Sequence, residues 1–528
     1  MGIPYYFYAI SKKYPGILLQ QLPEHLTCQH LLFDYNGIIH TSSYTYLSTL
    51  QKTPKDIEKN ILQEVWKSTV EIIDRLSPEK SVQIYIDGVA PVAKMNQQRR
   101  RRFLSIYQKK LAGTVSLWDS NAISPGTTFM TRLHASLKAH IRLNKKSFEY
   151  YLSSSDEPGE GEHKMFKRLR SPYFSENDVK IIYGMDADLI MLSLISNTKH
   201  IYLYRENQWL LNIDKLRQGI LEELKYQYHF EFDDSVIKEP NSEKAQEIIE
   251  SYIVLCFILG NDFLPHPIHI DLKQGGLEDI LIRAATIWNA TKLPVVDYKT
   301  STIQWHFLIQ LLDGLSMHET DHVYDKVHEY KIKRPRGDDP VDQYPLIHKD
   351  PFIDELLFKI DKQKWRMYYY KYLFNTSMND TSIIKQSCDL YLKGILWTYQ
   401  YYKQLPKDPY WYFPYAYAPT LKDLSNHLNI HITEYERLKE NWQEQFPKDV
   451  FVSPIIQLLS ILPEESITCL PIKYHSIIQD KFLHYLFPKE YPLNTFMKHH
   501  LWECTPKLPP MNINYLHQIL TSDPKLSS

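Results

Sequence analysis

The sequence has almost no net charge and no closely spaced pair of cysteines. Its 61 Lys and Arg residues are balanced by 62 Asp and Glu residues, so net charge alone gives no argument for a nucleic-acid partner. An acidic site and a basic groove would nevertheless cancel in that sum. The five cysteines lie far apart without a CxxC pair. That spacing supports neither a zinc site nor a dithiol redox motif, and it suits a reducing compartment.

Targeting signals and membrane spans are also missing from the pattern. The amino-terminal residues MGIPYYFYAISKKYPG lack the features of a signal peptide. The longest apolar run, around Tyr252 to Leu259, is short enough for a buried helix or strand and too short to cross a bilayer. We therefore expect a cytoplasmic protein, with the nucleus left open, and no membrane partner.

The order of apolar and charged segments predicts an α/β protein. Strand-like runs (LLFDYNG, VQIYIDG, KIIYGMD and HIYLYRENQWLLN) alternate with long charged helical patterns over residues 1–290. This alternation is typical of a mostly parallel central sheet flanked by helices. Residues 291–354 have the composition of a connecting segment. Residues 355–528 are aromatic and helical in pattern, which predicts a mainly helical second lobe.

Acidic residues end or interrupt several apolar runs. A carboxylate in such a place is costly unless a positive charge compensates it, and Mg2+ or Mn2+ does so well because hard cations prefer oxygen ligands. In parallel sheets such ligands meet at the carboxyl ends of the strands. A helix cap or a surface charge explains any one of these acids alone, but together they predict metal-dependent phosphoryl transfer. The seven acids are Asp34, Asp87, Glu160, Glu162, Asp186, Asp188 and Asp262.

A basic helix pattern begins seven residues after Asp87. In KMNQQRRRRF, one helical face carries three cations and an amide. Such a face is well suited to bind a phosphate monoester dianion. The alternative is an exposed basic face without a ligand. The residues of the predicted phosphate site are Lys94, Gln98, Arg101 and Arg102.

Two loops and two aromatic residues add weaker signals. The segments SPGTTFM and SSSDEPGEGEHKMF precede helical patterns and could offer backbone amides to phosphates. His40 lies six residues after Asp34, and Trp411 lies in the Pro-broken loop PYWYFPYAYAP. Either ring could stack on a nucleic-acid base. A packed core aromatic is the alternative for both.

Taken together, these motifs resemble those of the XRN family of 5′→3′ exoribonucleases. The resemblance covers nearly the whole chain and is closest over residues 1–290. It is carried by the strings MGIPYYF, FDYNGIIH, DGVAPVAKMNQQRRRRF, SPGTTFM, PGEGEHK, YGMDADLIMLSL, LCFILGNDFLPH, YFPYAYAPTLKDL and PIIQLLSILPEES.

The resemblance implies a nuclease core related to flap endonucleases and PIN-like domains, over residues 1–290. Residues 291–354 then connect it to a helical second conserved region, 355–528, that completes the active-site pocket. The seven acids would hold two Mg2+ ions, with Mn2+ as a substitute. The basic face would bind the 5′-phosphate, and His40 and Trp411 would stack on the first bases.

The implied reaction is processive hydrolysis of 5′-monophosphorylated single-stranded RNA to nucleoside 5′-monophosphates, as in mRNA decay, by a compact member that holds the nuclease core. Two alternatives stay open: a structure-specific 5′ flap endonuclease acting on DNA, and a catalytically inactive RNA-binding scaffold. Protein partners, such as decapping factors, are also left open.

Overall fold

The computed structural model describes residues 3, 5–49, 56–144, 146–337, 339–357, 362–377, 379–405, 407–445, 451–480 and 483–522. The chain divides into two compact units, each assembled from three segments. The sheet unit comprises Pro15–Lys215, Val450–Tyr491 and Leu508–Ser528. The helical unit comprises Met1–Tyr14, Leu216–Asp449 and Pro492–Lys507.

A seven-stranded sheet forms the centre of the sheet unit. Its strands are β1 Leu18–Leu19, β2 His30–Asp34, β3 Ser81–Tyr85, β4 Glu149–Ser153, β5 Lys180–Tyr183, β6 Ile201–Tyr204 and β7 Leu210–Asn212. They lie in the order β1-β7-β6-β5-β2-β3-β4. The pairs from β6 through β4 are parallel, whereas β7 is antiparallel to β6 and to β1. The predicted α/β class with a mostly parallel sheet is confirmed.

Helices surround this sheet and make up most of the helical unit. In chain order, the described α-helices are α1 Tyr6–Lys13, α2 Tyr35–Ser48, α3 Ile57–Leu76, α4 Val92–Ala112, α5 Thr128–Leu143, α6 Gly161–Leu169, α7 Asp188–Ser196, α8 Ile213–Tyr226, α9 Ser235–Lys238, α10 Glu243–Phe257, α11 Gly276–Thr291, α12 Trp305–Ser316, α13 Glu319–Ile332, α14 Tyr344–Ile347, α15 Ile353–Leu356, α16 Trp365–Leu373, α17 Ser382–Lys403, α18 Leu421–Ile430, α19 Ile432–Gln445, α20 Pro454–Ile461 and α21 Ile513–Ser522.

The central strand β2 is buried on both faces, which explains why its sequence is a continuous apolar run. Leu31 and Phe33 belong to the core that also contains Ile38 and Ile39 of α2, while Leu32 points to the opposite face and is equally buried. Parallel strands covered by helices on both faces have this pattern. A polar residue at the carboxyl end of such a strand needs a local hydrogen-bond partner or a ligand, because burial without one is costly.

The helical unit contains only short strands among its described residues. These are β8 Val296–Asp297 with β9 Thr302–Ile303, and β10 Leu493–Asn494 with β11 Thr505–Pro506. The predicted mainly helical second region is confirmed. No helix among the described residues is both long enough and apolar enough to cross a membrane.

The segment 291–354, predicted as a connection, contains α12 and α13 and is not an unstructured linker. In α12, for example, Leu308 and Leu311 are buried. The two units also interleave along the chain, because the helical unit takes its first residues from the amino terminus. The boundaries at 290 and 354 stay a prediction about regions of sequence.

Candidate active site

The carboxyl ends of three neighbouring parallel strands bring aspartates to one edge of the sheet. Asp34 is the last residue of β2, and Asp87 follows β3 by two residues. Asp186 and Asp188 follow β5, with Asp188 opening α7. Since β2 pairs in parallel with both β3 and β5, these strand ends are adjacent. This is the edge at which sheets of this type bind ligands.

Two glutamates reach the same edge from a loop beyond β4. Glu160 lies immediately before α6, and Glu162 lies in its first turn. The backbone N–H of Gly161, between them, donates to Oδ1 of Asp87 at 2.6 Å. Asn36 holds the other oxygen, because its Nδ2 donates to Oδ2 of Asp87 at 2.8 Å. Asp87 is therefore fixed from both sides and ties the glutamate loop to the end of β3.

Gly88 allows that loop to approach the strand end. Its N–H donates to the carbonyl of Gly159 at 2.9 Å. A Cβ at position 88 would lie 1.8 Å from the backbone oxygen of Glu157, so no residue with a side chain fits without moving the backbone. The glycine in VQIYIDG is thus required by a close approach of two backbone segments.

Arg205, at the end of β6, supports the loop that carries Asp186. It is 3% exposed, and its Nη1 donates to the carbonyl oxygens of Gly184 and Asp186 at 3.2 and 3.0 Å. Burial lowers the pKa of this guanidinium, while Glu206 and Asp186 oppose the shift. Arg205 was not predicted from the sequence. A charged residue directly after the apolar run IYLY was the available signal.

The acids perturb one another's ionisation, which shows that they form one cluster. Burial raises the pKa of Asp34, and Asp87, Asp186 and Glu160 raise it further. Burial also raises the pKa of Glu162, reinforced by Asp188, Glu160 and Asp34. The structure thus brings together six of the seven predicted acids, namely Asp34, Asp87, Glu160, Glu162, Asp186 and Asp188.

Lys94 is a buried cation beside the cluster. Its Nζ lies 2.8 Å from Oε2 of Glu160, and its charge lowers the pKa values of Asp34, Asp87 and Glu162 against the effect of burial. The charge of Lys164 also lowers the pKa of Asp87, but two ammonium groups cannot compensate six carboxylates. Asp34 and Asp87 keep some accessible surface and Asp186 is exposed, so additional cations can reach the cluster from solvent.

The donor set fits hard divalent cations. Oxygen or nitrogen atoms of Glu160, Glu162 and His163 lie within 4.8 Å of one another. Oε2 of Glu162 is buried without a hydrogen-bond partner in the described part of the chain. A buried carboxylate oxygen with no donor is the arrangement that a cation satisfies. His163 was not among the predicted ligands, although it lies in the quoted string PGEGEHK.

Divalent cations should stabilise the protein through this cluster. We expect the melting temperature of the wild type to be higher in 5–10 mM MgCl2 than in EDTA, by about 2–4 °C for each kcal/mol of binding free energy, as in domains of 150–250 residues. Asp34→Asn removes a negative charge that the neighbouring acids repel. In EDTA this variant should therefore have a higher melting temperature than the wild type, and Mg2+ should raise its melting temperature less. Differential scanning fluorimetry measures both effects.

The matched control is Asp178→Asn, which removes a second buried acid that already has protein partners. Asp178 precedes β5 and pairs with Lys80 at 2.7 Å and His30 at 3.0 Å. Although burial opposes it, these donors lower the pKa of Asp178 to about 2. This variant should lose stability and keep the full response to Mg2+. A wild-type melting temperature that ignores Mg2+ would contradict the metal site.

The predicted phosphate residues lie on one face of α4, next to the acids. Arg102 donates from Nη2 to Oγ of Ser124, in the SPGTTFM segment, at 2.7 Å. Its Nη1 and the Oε1 of Gln98 are buried without a partner among the described residues. Burial lowers the pKa of Arg102 to about 10, so the guanidinium stays charged at neutral pH. Together with Lys94 and the exposed Arg101, this face can accept an anion.

The four consecutive arginines do not share one role. Arg99 is 2% exposed, and its guanidinium donates to the carbonyl oxygens of Leu486 (2.9 Å) and Pro509. It therefore anchors later segments of the sheet unit to α4. Arg101 and Arg102 lie on the face of the helix that includes Lys94 and Gln98.

His40 lies near the same face. Desolvation, followed by the charges of Arg101 and Arg102, lowers the pKa of its imidazole to about 4, although the side chain keeps exposed surface. The ring is therefore neutral at neutral pH. A neutral exposed ring beside two arginines suits stacking on a base more than binding a phosphate.

Asp262 and Trp411 belong to the helical unit. Oδ1 of Asn261 accepts the N–H groups of Phe263 and Leu264, which fixes the turn around Asp262. Trp411 is 7% exposed and stacks on Trp397 at a centroid distance of 4.9 Å. It packs as a core aromatic, whereas the preceding Tyr410 is 46% exposed. The metal-binding role of Asp262 and the stacking role of Trp411 stay predictions.

Two family models match this chain. Residues 1–207 match the model described as XRN 5'-3' exonuclease N-terminus. Residues 348–527 match the model described as Xrn1 helical domain. The first match contains strands β1 to β6, the basic helix and the six clustered acids. The second contains Trp411.

Curated relatives align with most or all of the chain. It is 27% identical to 5'-3' exoribonuclease 1 of Homo sapiens, over 96% of this chain and 33% of the human protein. It is 23% identical to 5'-3' exoribonuclease 1 of Schizosaccharomyces pombe, over 99% of this chain and 49% of that protein. It is 28% identical to 5'-3' exoribonuclease 2 of Kluyveromyces lactis, over 64% of this chain and 41% of that protein. The chain thus spans between a third and a half of the length of these relatives.

Among solved structures, the catalytic core of Rad2 in complex with a DNA substrate is similar to this chain, and the alignment covers 72% of this chain and 99% of the Rad2 chain. The sequence identity is 12% and the TM-score is 0.31. A TM-score of this size adds no argument about the fold.

Proposed function

Because the chain belongs to the XRN family of 5′→3′ exonucleases, we propose that it is a Mg2+-dependent, processive 5′→3′ exoribonuclease. Its substrate is single-stranded RNA with a 5′-monophosphate, and its products are nucleoside 5′-monophosphates. The names of the relatives in Homo sapiens and Schizosaccharomyces pombe support this activity.

One observation carries the proposal: the acidic cluster and the basic face of α4 meet at Lys94. Its ammonium contacts Glu160 at 2.8 Å, and it begins the face that continues to Gln98 and Arg102. A site for cations and a site for an anion are therefore adjacent. The 5′ end of RNA fits this arrangement. Its terminal phosphate would bind the basic face, and its first phosphodiester bond would lie next to the cations.

The acids of the cluster would hold the cations. Bound there, two divalent cations would supply an activated water and stabilise the leaving oxygen of a phosphodiester. Asn36 and the backbone N–H of Gly161 keep Asp87 in place, and Arg205 supports the Asp186 loop. The family resemblance assigns Asp262 to the same set of ligands.

The basic face would determine the direction of degradation. Arg101 and the free Nη1 of Arg102 donate charge-assisted hydrogen bonds to a terminal phosphate. Oε1 of Gln98 accepts one from a protonated phosphate oxygen or a water molecule. Each hydrolysis leaves a new 5′-phosphate on the remaining RNA, which can enter the same site. We expect a site built around one phosphate to exclude a cap or a triphosphate.

The products from labelled RNA test the proposal. With a 5′-32P label on single-stranded RNA and MgCl2 present, we expect labelled mononucleotide as the first product and through the whole time course. Labelled oligonucleotides released from a flap-bearing DNA, with RNA left intact, would instead show a flap endonuclease. Binding without any cleavage would show an inactive scaffold.

A further inference from the structure

The helical unit presents a cluster of aromatic and basic side chains at its surface, which we name the aromatic patch: Tyr5, Lys273, Lys333, His499, His500 and Trp502. Trp502 is 49% exposed and Tyr5 is 38% exposed. By contrast, Trp305, Trp365 and Trp397 of the same unit are almost completely buried. A half-exposed indole forfeits much of the free energy that burial of its ring would provide, so its position needs an explanation.

Two rings lie next to Trp502. The Tyr5 ring is tilted by 57° with its centroid 6.4 Å from that of Trp502. The His500 ring is nearly parallel to the indole, at 13° and 6.0 Å. The 3-10 turn Leu501–Glu503 that carries Trp502 is itself fixed, because the Glu503 carboxylate accepts the N–H groups of His499 and His500. The indole is thus held in one orientation with part of its surface open to solvent.

Lysines surround these rings. Nζ of Lys273 lies 3.5 Å from the centroid of the Tyr5 ring, and Nζ of Lys333 lies 3.3 Å from Nδ1 of His499. Neither lysine has a carboxylate within ion-pair distance in the described part of the chain. Burial and the charge of Lys333 lower the pKa of His499, the charge of Glu503 opposes this shift, and Lys273 lowers the pKa further. Both ammonium groups therefore lie close enough to His499 to lower its pKa.

Both backbone segments that present the rings contain a left-handed residue. Tyr5 has a φ of +62°, and Met497, which precedes the His500–Trp502 segment, has a φ of +60°. Large side chains rarely adopt this conformation, and it costs free energy. Strain of this kind is found where the surrounding structure holds a group in a position that function requires.

We propose that the aromatic patch binds single-stranded RNA, with an unpaired base stacked on Trp502 and neighbouring phosphates contacting Lys273 and Lys333. Exposed rings next to cations without counter-ions are the features of sites that hold single strands without reading their sequence. The choice of RNA as the bound polymer rests on the proposed function. The aromatic patch adds a binding site that does not read the 5′ end.

RNA affinity without catalysis tests this surface. The full chain in EDTA is titrated with two 3′-fluorescein-labelled 20-nucleotide oligo(U) RNAs, one with a 5′-monophosphate and one with a 5′-hydroxyl, and anisotropy is recorded. Trp502→Leu should weaken both affinities by the same factor, roughly tenfold, because a stacked base is lost. Trp502→Phe should keep most of the affinity. Lys273→Glu should weaken binding and reduce its dependence on salt.

Two control variants match these changes on the same unit. Tyr226 is 62% exposed, and Tyr226→Leu should bind both RNAs as the wild type does. Lys299 is an exposed lysine, and Lys299→Glu controls for net charge. Melting temperatures verify that all variants fold. Double-stranded RNA should bind Trp502→Leu and the wild type equally, since paired bases cannot stack on the indole.

The outcomes separate this inference from the proposed function. Wild-type affinity of both Trp502→Leu and Lys273→Glu for both RNAs would overturn the aromatic patch. If the wild type shows no preference for the 5′-monophosphate, the phosphate site of the proposed function fails. A parallel loss of both affinities in Trp502→Leu would still support the patch.

Discussion

Replacing Asp188 with alanine is expected to lower the rate of RNA degradation by about a thousandfold or more while the protein stays folded. Asp188 is 5% exposed at the start of α7, and its charge raises the pKa of Glu162. Its carboxylate therefore lies within the acidic cluster. Removing it takes away a hard oxygen ligand at the reacting bond, where a loss of this size corresponds to about 4 kcal/mol of transition-state stabilisation. Release of mononucleotides from 5′-monophosphorylated RNA in MgCl2 measures the rate.

Asp178→Asn is the matched control for this experiment. Both aspartates are buried and flank the same strand β5, but Asp178 lies at the amino end, paired with Lys80. Loss of that pair should reduce stability and leave the turnover of the folded protein within a few-fold of wild type. Near-normal turnover in Asp188→Ala, with Asp178→Asn equally active, would mean that the acidic cluster does not carry the chemistry.

The second large effect is expected at Arg101. Arg101→Ala should reduce the preference for 5′-monophosphate over 5′-hydroxyl RNA roughly tenfold or more, because a charge-assisted hydrogen bond contributes about 1.5–3 kcal/mol. Arg101 is exposed on α4, so its removal should not disturb the fold. The ratio of kcat/KM values for the two RNAs is the quantity to measure, since a general loss of RNA affinity would leave it unchanged.

Lys109→Ala provides the control on the same helix. Lys109 lies in the last turn of α4, two turns beyond Arg101, and its removal changes the net charge by the same amount. We expect it to keep the wild-type ratio. A ratio that stays constant in Arg101→Ala would argue that the terminal phosphate binds elsewhere.

Much of the site could be predicted because each part has its own local signal. Asp34, Asp87 and Asp186 follow apolar strands, and parallel strands bring their carboxyl ends together. The two-residue spacing of Asp186 and Asp188 does not by itself distinguish an extended segment from the start of a helix. The structure shows a helix start, with Asp188 opening α7.

Other features depend on contacts between distant segments and have no local pattern. The anchoring role of Arg99 depends on carbonyl groups more than 380 residues away in the chain. The need for glycine at position 88 comes from the Glu157 backbone. Strand β4 was not predicted, because its residues Glu149–Ser153 are mostly half-exposed and polar or aromatic, as at the edge of a sheet.

The role of Trp411 could not be predicted from its position in a loop. A tryptophan in PYWYFPYAYAP is compatible with stacking on a base or with packing in the core, and sequence spacing does not distinguish them. In the structure a Cβ on Gly394 would lie 2.5 Å from Cζ2 of Trp411. The helix α17 therefore carries a glycine where the indole packs.

The most direct test of the central claim is a MgCl2-dependent time course on RNAs that differ only at the 5′ end. A site that joins the acidic cluster to a pocket for one terminal phosphate predicts rapid release of mononucleotides from 5′-monophosphate RNA. It also predicts slow or absent degradation of RNAs with a 5′-triphosphate, a cap or a 5′-hydroxyl, and no degradation in EDTA. Equal rates on all four RNAs, or cleavage that persists in EDTA, would contradict it.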